Sequence, residues 1–208
     1  QFDPDYPPLS FCCDEAREQG GIVIWCHNGR GMEAPIAAVM GKLDAFNLFD
    51  PFWMDPEYDI WYRLLNCGIK LPASTGTDWF VCSNNRVYVN TEGDFSYERW
   101  IKGMQSGNTF ITNGPAIDLR VNDLSIGSTV ESDGETVLDI ETKFNSHYPV
   151  NYVEIVHNGK VIHVEGWNAG KKYSTVKYAL EVQHDGWVAA RLSGNHRDSF
   201  GQPIYAHT

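Results

Sequence analysis

The chain has 208 residues, 42% of them apolar and 13% aromatic, which excludes intrinsic disorder and gives enough material for one large or two modest folded units. Its net charge of −11 argues against a nucleic-acid or anionic-membrane partner, because phosphates would be repelled. No apolar run is long enough for a bilayer-crossing helix.

In chain order, LSFCCDEAREQGG predicts a helix, with Ser10 as its N-cap and Gly20 as its stop. GIVIWC is a continuous apolar run that suits a strand covered on both faces. EAPIAAVMG predicts a short helix that tolerates Pro35 in its first turn, and LDAFNLF a second strand. PEYDIWYRLLNCG is amphipathic and stops at Gly68; IKLPAS is a third strand. Strand, helix, strand, helix, strand implies parallel pairing with right-handed crossovers. A further helix, SYERWIKGMQSG, begins at Ser96 and ends at Gly107.

The rhythm then changes to period two. In AIDLRVN and VKYALEV apolar residues alternate with polar ones, and YVEIVHNGKVIHVE carries Asn158-Gly159, a strong hairpin signal. With a two-residue loop, His157 falls opposite Lys160 and His163 opposite Glu154. About six short strands separated by turn residues predict an antiparallel β-sandwich. The expectation is therefore α/β plus all-β, with residues 1–108 an α/β unit and 109–208 a sandwich.

The five cysteines, Cys12, Cys13, Cys26, Cys67 and Cys82, are odd in number and form no CxxC pair. Buried free thiols fit them better than a disulfide framework or a zinc ribbon. No phosphate loop, nucleophile elbow or HExxH is present.

In parallel α/β sheets functional groups collect at the carboxyl ends of the strands. Here the three strands run into His27, Asp50 and Asp78, which delivers three metal-capable side chains to one rim. Imidazole and carboxylate suit Zn, Mn or Fe. Each residue also has a plainer reading: His27 enters an Asn28-Gly29 turn, Asp50 precedes Pro51, and Asp78 can close an Asx-turn after Gly76 and Thr77. What favours ligation is their matching placement on consecutive strands.

GGIVIWCH, LDAFNLFD, YRLLNCGIKLPASTGTD, RVYV, YERWIKGMQSGNTFITNGP and GWVAARLSG resemble, in order and through most of the chain, the C-terminal portion of CehA/McbA-type metallohydrolases of the PHP (polymerase and histidinol phosphatase) superfamily. The resemblance implies the late part of a distorted (β/α) barrel with a metal centre at its strand ends, followed by an antiparallel β-sandwich. It implies divalent-metal-dependent hydrolysis of a small-molecule phosphoester, ester or carbamate by a metal-activated water.

On this resemblance His27 matches a late-strand histidine ligand, and Asp78 the aspartate of a Gly-Ser-Asp-x-His motif. Arg30 becomes a candidate contact to an anionic substrate and Asp50 a second substrate-side residue. Two departures matter. Phe80 stands where the motif has histidine, and the family's early His-x-His pair would fall before Gln1. A catalytic zinc typically has three protein ligands, so the chain alone is expected to be inactive. The alternative is a degenerate scaffold whose sandwich binds a glycan or protein, with Trp167 and Trp187 as stacking surfaces or simply as core. A third reading has the sandwich brace the barrel or a homo-oligomer.

Overall fold

The structure is a computed structural model and describes residues 9–26, 33–48, 58–77 and 83–208. The first helix, α1 (Leu9–Glu18), buries Cys13 and ends in a turn where Gly20, at φ +79°, takes the left-handed conformation glycine tolerates. Ser10 lies inside α1. The backbone N–H of Leu9 is met instead by the Glu33 carboxylate at 2.7 Å, a cap that comes from 24 residues away.

The strands β1 (Ile24–Trp25), β2 (Ala45–Asn47) and β3 (Ala73–Ser74) form a parallel sheet in that order. Trp25, Phe46 and Ala73 share one row, because Trp25 pairs with Phe46 and Phe46 with Ala73. The crossovers are α2 (Ala34–Val39), with Pro35 in its first turn, and α3 (Asp59–Asn66), whose inner face buries Trp61, Tyr62 and Leu64. Asp44 secures the amino end of the sheet. One carboxylate oxygen accepts the Val23 N–H at 2.8 Å, and the other pairs with Arg17 at 3.0 Å.

Every other strand among the described residues belongs to one antiparallel sheet. Its members are β4 (Arg86–Val89), β5 (Thr109–Thr112), β6 (Ala116–Val121), β7 (Leu124–Ser125), β8 (Thr136–His157), β9 (Lys160–Val182), β10 (Val188–Arg197) and β11 (Pro203–His207). The order is β4-β5-β11-β10-β8-β6-β7, with β9 along β8. Between β4 and β5 lies α4 (Tyr97–Ser106), capped by the Ser96 hydroxyl on the Arg99 N–H and stopped by Gly107 in the left-handed region.

The expected partial (β/α) barrel followed by a β-sandwich is overturned on both counts. The described parallel strands number three and form a small sheet, whereas a parallel barrel needs roughly eight. The antiparallel part is a single curled sheet rather than two facing ones. The reason lies in β8, a 22-residue strand that does not break at Ser146–Pro149 but bulges there, with a register shift between Asn145 and Val150. Its first half pairs with β6 and its second half with β10, so one strand serves both ends of the curl. Proline supplies no N–H to a ladder, and a bulge is where a strand tolerates it.

The curl encloses its own core of Ile117, Ile140, Phe144, Val153, Val176 and Leu192, among others. A second core lies between the parallel sheet and its helices. It takes in Ile111, Val156 and Tyr205 from the antiparallel sheet, so the two sheets pack against each other.

Candidate functional site

The carboxyl ends of β1, β2 and β3 lie on one edge of the parallel sheet, since the strands run together in register. Cys26, Leu48 and Thr77 are the last described residues before His27, Asp50 and Asp78 respectively. His27, Arg30, Asp50, Asp78 and Phe80 themselves lie outside the described residues. Among the described residues no group of three or more His, Cys, Asp or Glu is placed to hold a metal ion.

What the structure adds at this edge is polar and buried. Asn47, the last residue of β2, carries a side-chain Oδ1 that is buried and finds no hydrogen-bond partner among the described residues. Its amide lies beside Gly76, where an added Cβ would stand 3.9 Å from Asn47 Nδ2. Buried polar atoms are nearly always satisfied, and one left open at a strand end suits an external ligand. The strand-end logic that selects His27 and Asp78 also reaches Asn47, but its amide is a less obvious ligand than imidazole or carboxylate.

Thr75 and Asn85, which precede and follow residues 78–82 in the sequence, meet at one phenol. The Tyr205 hydroxyl donates to Asn85 Oδ1 at 3.0 Å and is also hydrogen-bonded by the Thr75 side chain. Burial pushes the Tyr205 phenol far above its ordinary range, so it stays protonated and remains a donor. Nothing in the alternating pattern of PIYAH marks Tyr205 for this role; only the pairing of β11 with β5 and β10 brings it there.

A second polar group joins α3 to the end of β11. The Tyr62 hydroxyl bonds His207 Nε2 at 2.6 Å, and His207 Nδ1 donates to the Thr208 carbonyl at 2.8 Å. Arg191 reaches the Tyr62 oxygen at 3.4 Å and holds Glu154 at 2.5 Å. Burial, together with the Arg191 charge, drives the His207 pKa down to about 3, and burial raises Tyr62 to about 12. Neither group exchanges protons near neutrality, so the pair cannot serve as an acid–base couple there.

The third feature is an open groove of about 570 Å³ on the outer face of the β9–β8–β10 region. Tyr152, Gly166, Trp167 and Asn195 line it. Trp167 packs on Phe144, with ring centroids 5.8 Å apart, and Lys171 Nζ stands 4.7 Å over its ring. Trp187 belongs to the core, 4.9 Å from Tyr62, with its indole N–H donating to Asn66 Oδ1. Both tryptophans are half-buried.

Two other sequence expectations are adjusted. His157 opposes Lys160 as expected, but a register shift between Ile155 and Val156 sets His163 opposite Ile155 rather than Glu154. Of the four free cysteines among the described residues, Cys13 is buried, whereas Cys26 and Cys67 are exposed.

Comparison with family models, with curated proteins and with solved structures finds no match to this chain.

Proposed function

We propose that the chain carries the late part of the site of a divalent-metal-dependent hydrolase acting on a small phosphoester, ester or carbamate. One observation supports this most: three parallel strands end on one edge, and the residues that follow are His27, Asp50 and Asp78. The resemblance of the quoted motifs to CehA/McbA-type metallohydrolases points the same way.

The donor chemistry fits a divalent ion in part. His27 and Asp78 supply imidazole nitrogen and carboxylate oxygen, Asn47 Oδ1 is a buried acceptor open to a cation, and Phe80 supplies nothing. When bound, the ion would lower the pKa of a coordinated water and polarise the scissile bond. The chain's own contributions are then positional. Asp44 secures the amino end of the sheet, Tyr205 joins Thr75 to Asn85, and Arg30 is the candidate anchor for an anionic substrate.

The test is metal content and thermal melting of the full-length protein with added Mn²⁺ or Zn²⁺, beside His27→Ala and Asp78→Asn. The proposal expects bound metal and a rise in Tm that both substitutions reduce. A metal-free protein whose Tm ignores both ions sinks it.

A further inference from the structure

We propose that the groove on the outer face of β8 and β9 is a binding site for a neutral oligosaccharide, with the Tyr152 ring as its stacking platform. The argument begins with what stands next to that ring. On the outer face of β8, Tyr152 pairs with Gly166 of β9 on one side and with Ser193 of β10 on the other. Gly166 has no side chain, and Ser193 is small and turns its hydroxyl to the Ile204 carbonyl at 2.9 Å. Tyr152, 39% exposed, therefore has only small residues as its two direct ladder partners.

Gly166 is not there to relieve the backbone. It has no left-handed φ, and the nearest atom to an added Cβ is the Asn151 carbonyl oxygen at 3.9 Å. A larger residue would fit at that position, and its effect would be to fill the groove.

The walls are built rather than loose. Asn151 donates from Nδ2 to the Trp167 carbonyl at 3.2 Å and accepts the Asn195 N–H on Oδ1 at 2.9 Å, so one half-buried amide fixes both ends. Asn168 and Asn195 present exposed amides at those ends, each able to donate and accept.

Charge decides among ligand classes. Among the described residues the lining has no Lys or Arg of its own, the Lys171 ammonium is engaged over the Trp167 ring, the one carboxylate, Glu154, is neutralised by Arg191, and the chain is strongly acidic. An anionic ligand would meet only Lys171, already engaged over the Trp167 ring, and a cationic one would find Glu154 already paired. An aromatic ring between amides in a space of this size, within the usual range for ligand sites, matches a neutral polyhydroxylated chain that stacks in the middle and hydrogen-bonds at both ends. A peptide is the poorer fit, because the floor is a sheet face whose Tyr152 and Gly166 are already ladder partners.

The experiment is isothermal titration of the chain, in EDTA, with a panel of neutral gluco-, manno- and xylo-hexasaccharides, an anionic heparin-derived hexasaccharide, and an extended neutral peptide. EDTA keeps the outcome independent of any metal site. The expected result is binding of at least one neutral hexasaccharide that weakens by roughly ten-fold or more in both Tyr152→Ala and Gly166→Leu. Gly166→Leu is the informative variant, since it leaves the core untouched and its unchanged melting curve excludes unfolding. The proposal is overturned if no neutral hexasaccharide binds, if Gly166→Leu binds as well as the parent chain, or if the anionic sugar or the peptide is preferred.

Discussion

The hydroxyl of Tyr62 on α3 bonds Nε2 of His207, the penultimate residue, across 2.6 Å and 145 positions of sequence. With Nδ1 donating to Thr208, Nε2 is the ring's acceptor, so the histidine is fixed as one neutral tautomer and the end of β11 is tied to the parallel sheet's last crossover helix.

That neutrality makes stability depend on pH. His207 has an ordinary pKa of 6.5 and is depressed to about 3 when folded, so in the intervening range the unfolded chain takes up a proton that the folded chain refuses. Stability is therefore fully present above about pH 6.5 and is lost as pH falls toward 3, by about 2 kcal/mol between pH 7 and pH 5. Burial shifts His157 in the same direction. Urea titrations at pH 7, 6 and 5 should show a falling midpoint, with the slope flattened in His207→Gln and less so in His157→Gln. An equal slope in parent and His207→Gln would remove His207 as the cause.

The bulge that converts two expected sheets into one has a steric signature at Gly194. A Cβ placed there would stand 2.4 Å from the Pro149 carbonyl oxygen and 2.9 Å from Ile204 Cδ1. Gly194→Ala should therefore destabilise by about 2–3 kcal/mol through overpacking, read as a fall in the urea midpoint at constant slope. Gly166→Ala, which meets nothing closer than 3.9 Å, should change the midpoint little. Similar effects from the two substitutions would mean the corner relaxes easily.

The turn between β8 and β9 holds more than a register. Asn158 and Gly159 sit at φ +49° and +79°, the left-handed pair that a two-residue hairpin needs. Asn158 Oδ1 also accepts the Trp187 N–H at 3.0 Å, and its carbonyl accepts from Asn66 at 3.3 Å, so the hairpin tip is joined to β10 and to α3. Asn158→Gly keeps the backbone conformation and loses the side-chain acceptor, and should cost about 1 kcal/mol; Asn158→Ala adds strain and should cost more. Thermal melts of the two variants separate the contributions.

The local signals in the sequence carried far, and the long-range ones did not. Ser96, Gly107, Gly68 and the Asn158-Gly159 pair act where capping and turn chemistry put them, because each works on its immediate neighbours. The parallel run β1-β2-β3 follows from apolar strands alternating with helices. The barrel and the sandwich failed for a shared reason. Strand count and sheet closure depend on partners tens of residues away, and the stretch around Pro149 forms a bulge inside one long β8. Glu33 on the Leu9 N–H, Tyr205 between Thr75 and Asn85, and Tyr152 beside Gly166 are all products of tertiary pairing. No spacing in the chain announces them.

Asn47 offers a direct test of whether the strand-end edge is a site or only a turn. Its buried Oδ1 has no partner among the described residues, which costs roughly 1–3 kcal/mol in an unliganded protein. Leucine has a similar volume and no such atom. Asn47→Leu should therefore leave the metal-free Tm unchanged or raise it, the reverse of what most buried substitutions do. If the atom is kept open to face a cation, the same variant should show a smaller rise in Tm on addition of Mn²⁺ or Zn²⁺ to the full-length protein than the parent does. Paired melts with and without metal read both effects at once. A variant that loses stability without metal would show that Asn47 supports the sheet edge rather than waiting on a ligand.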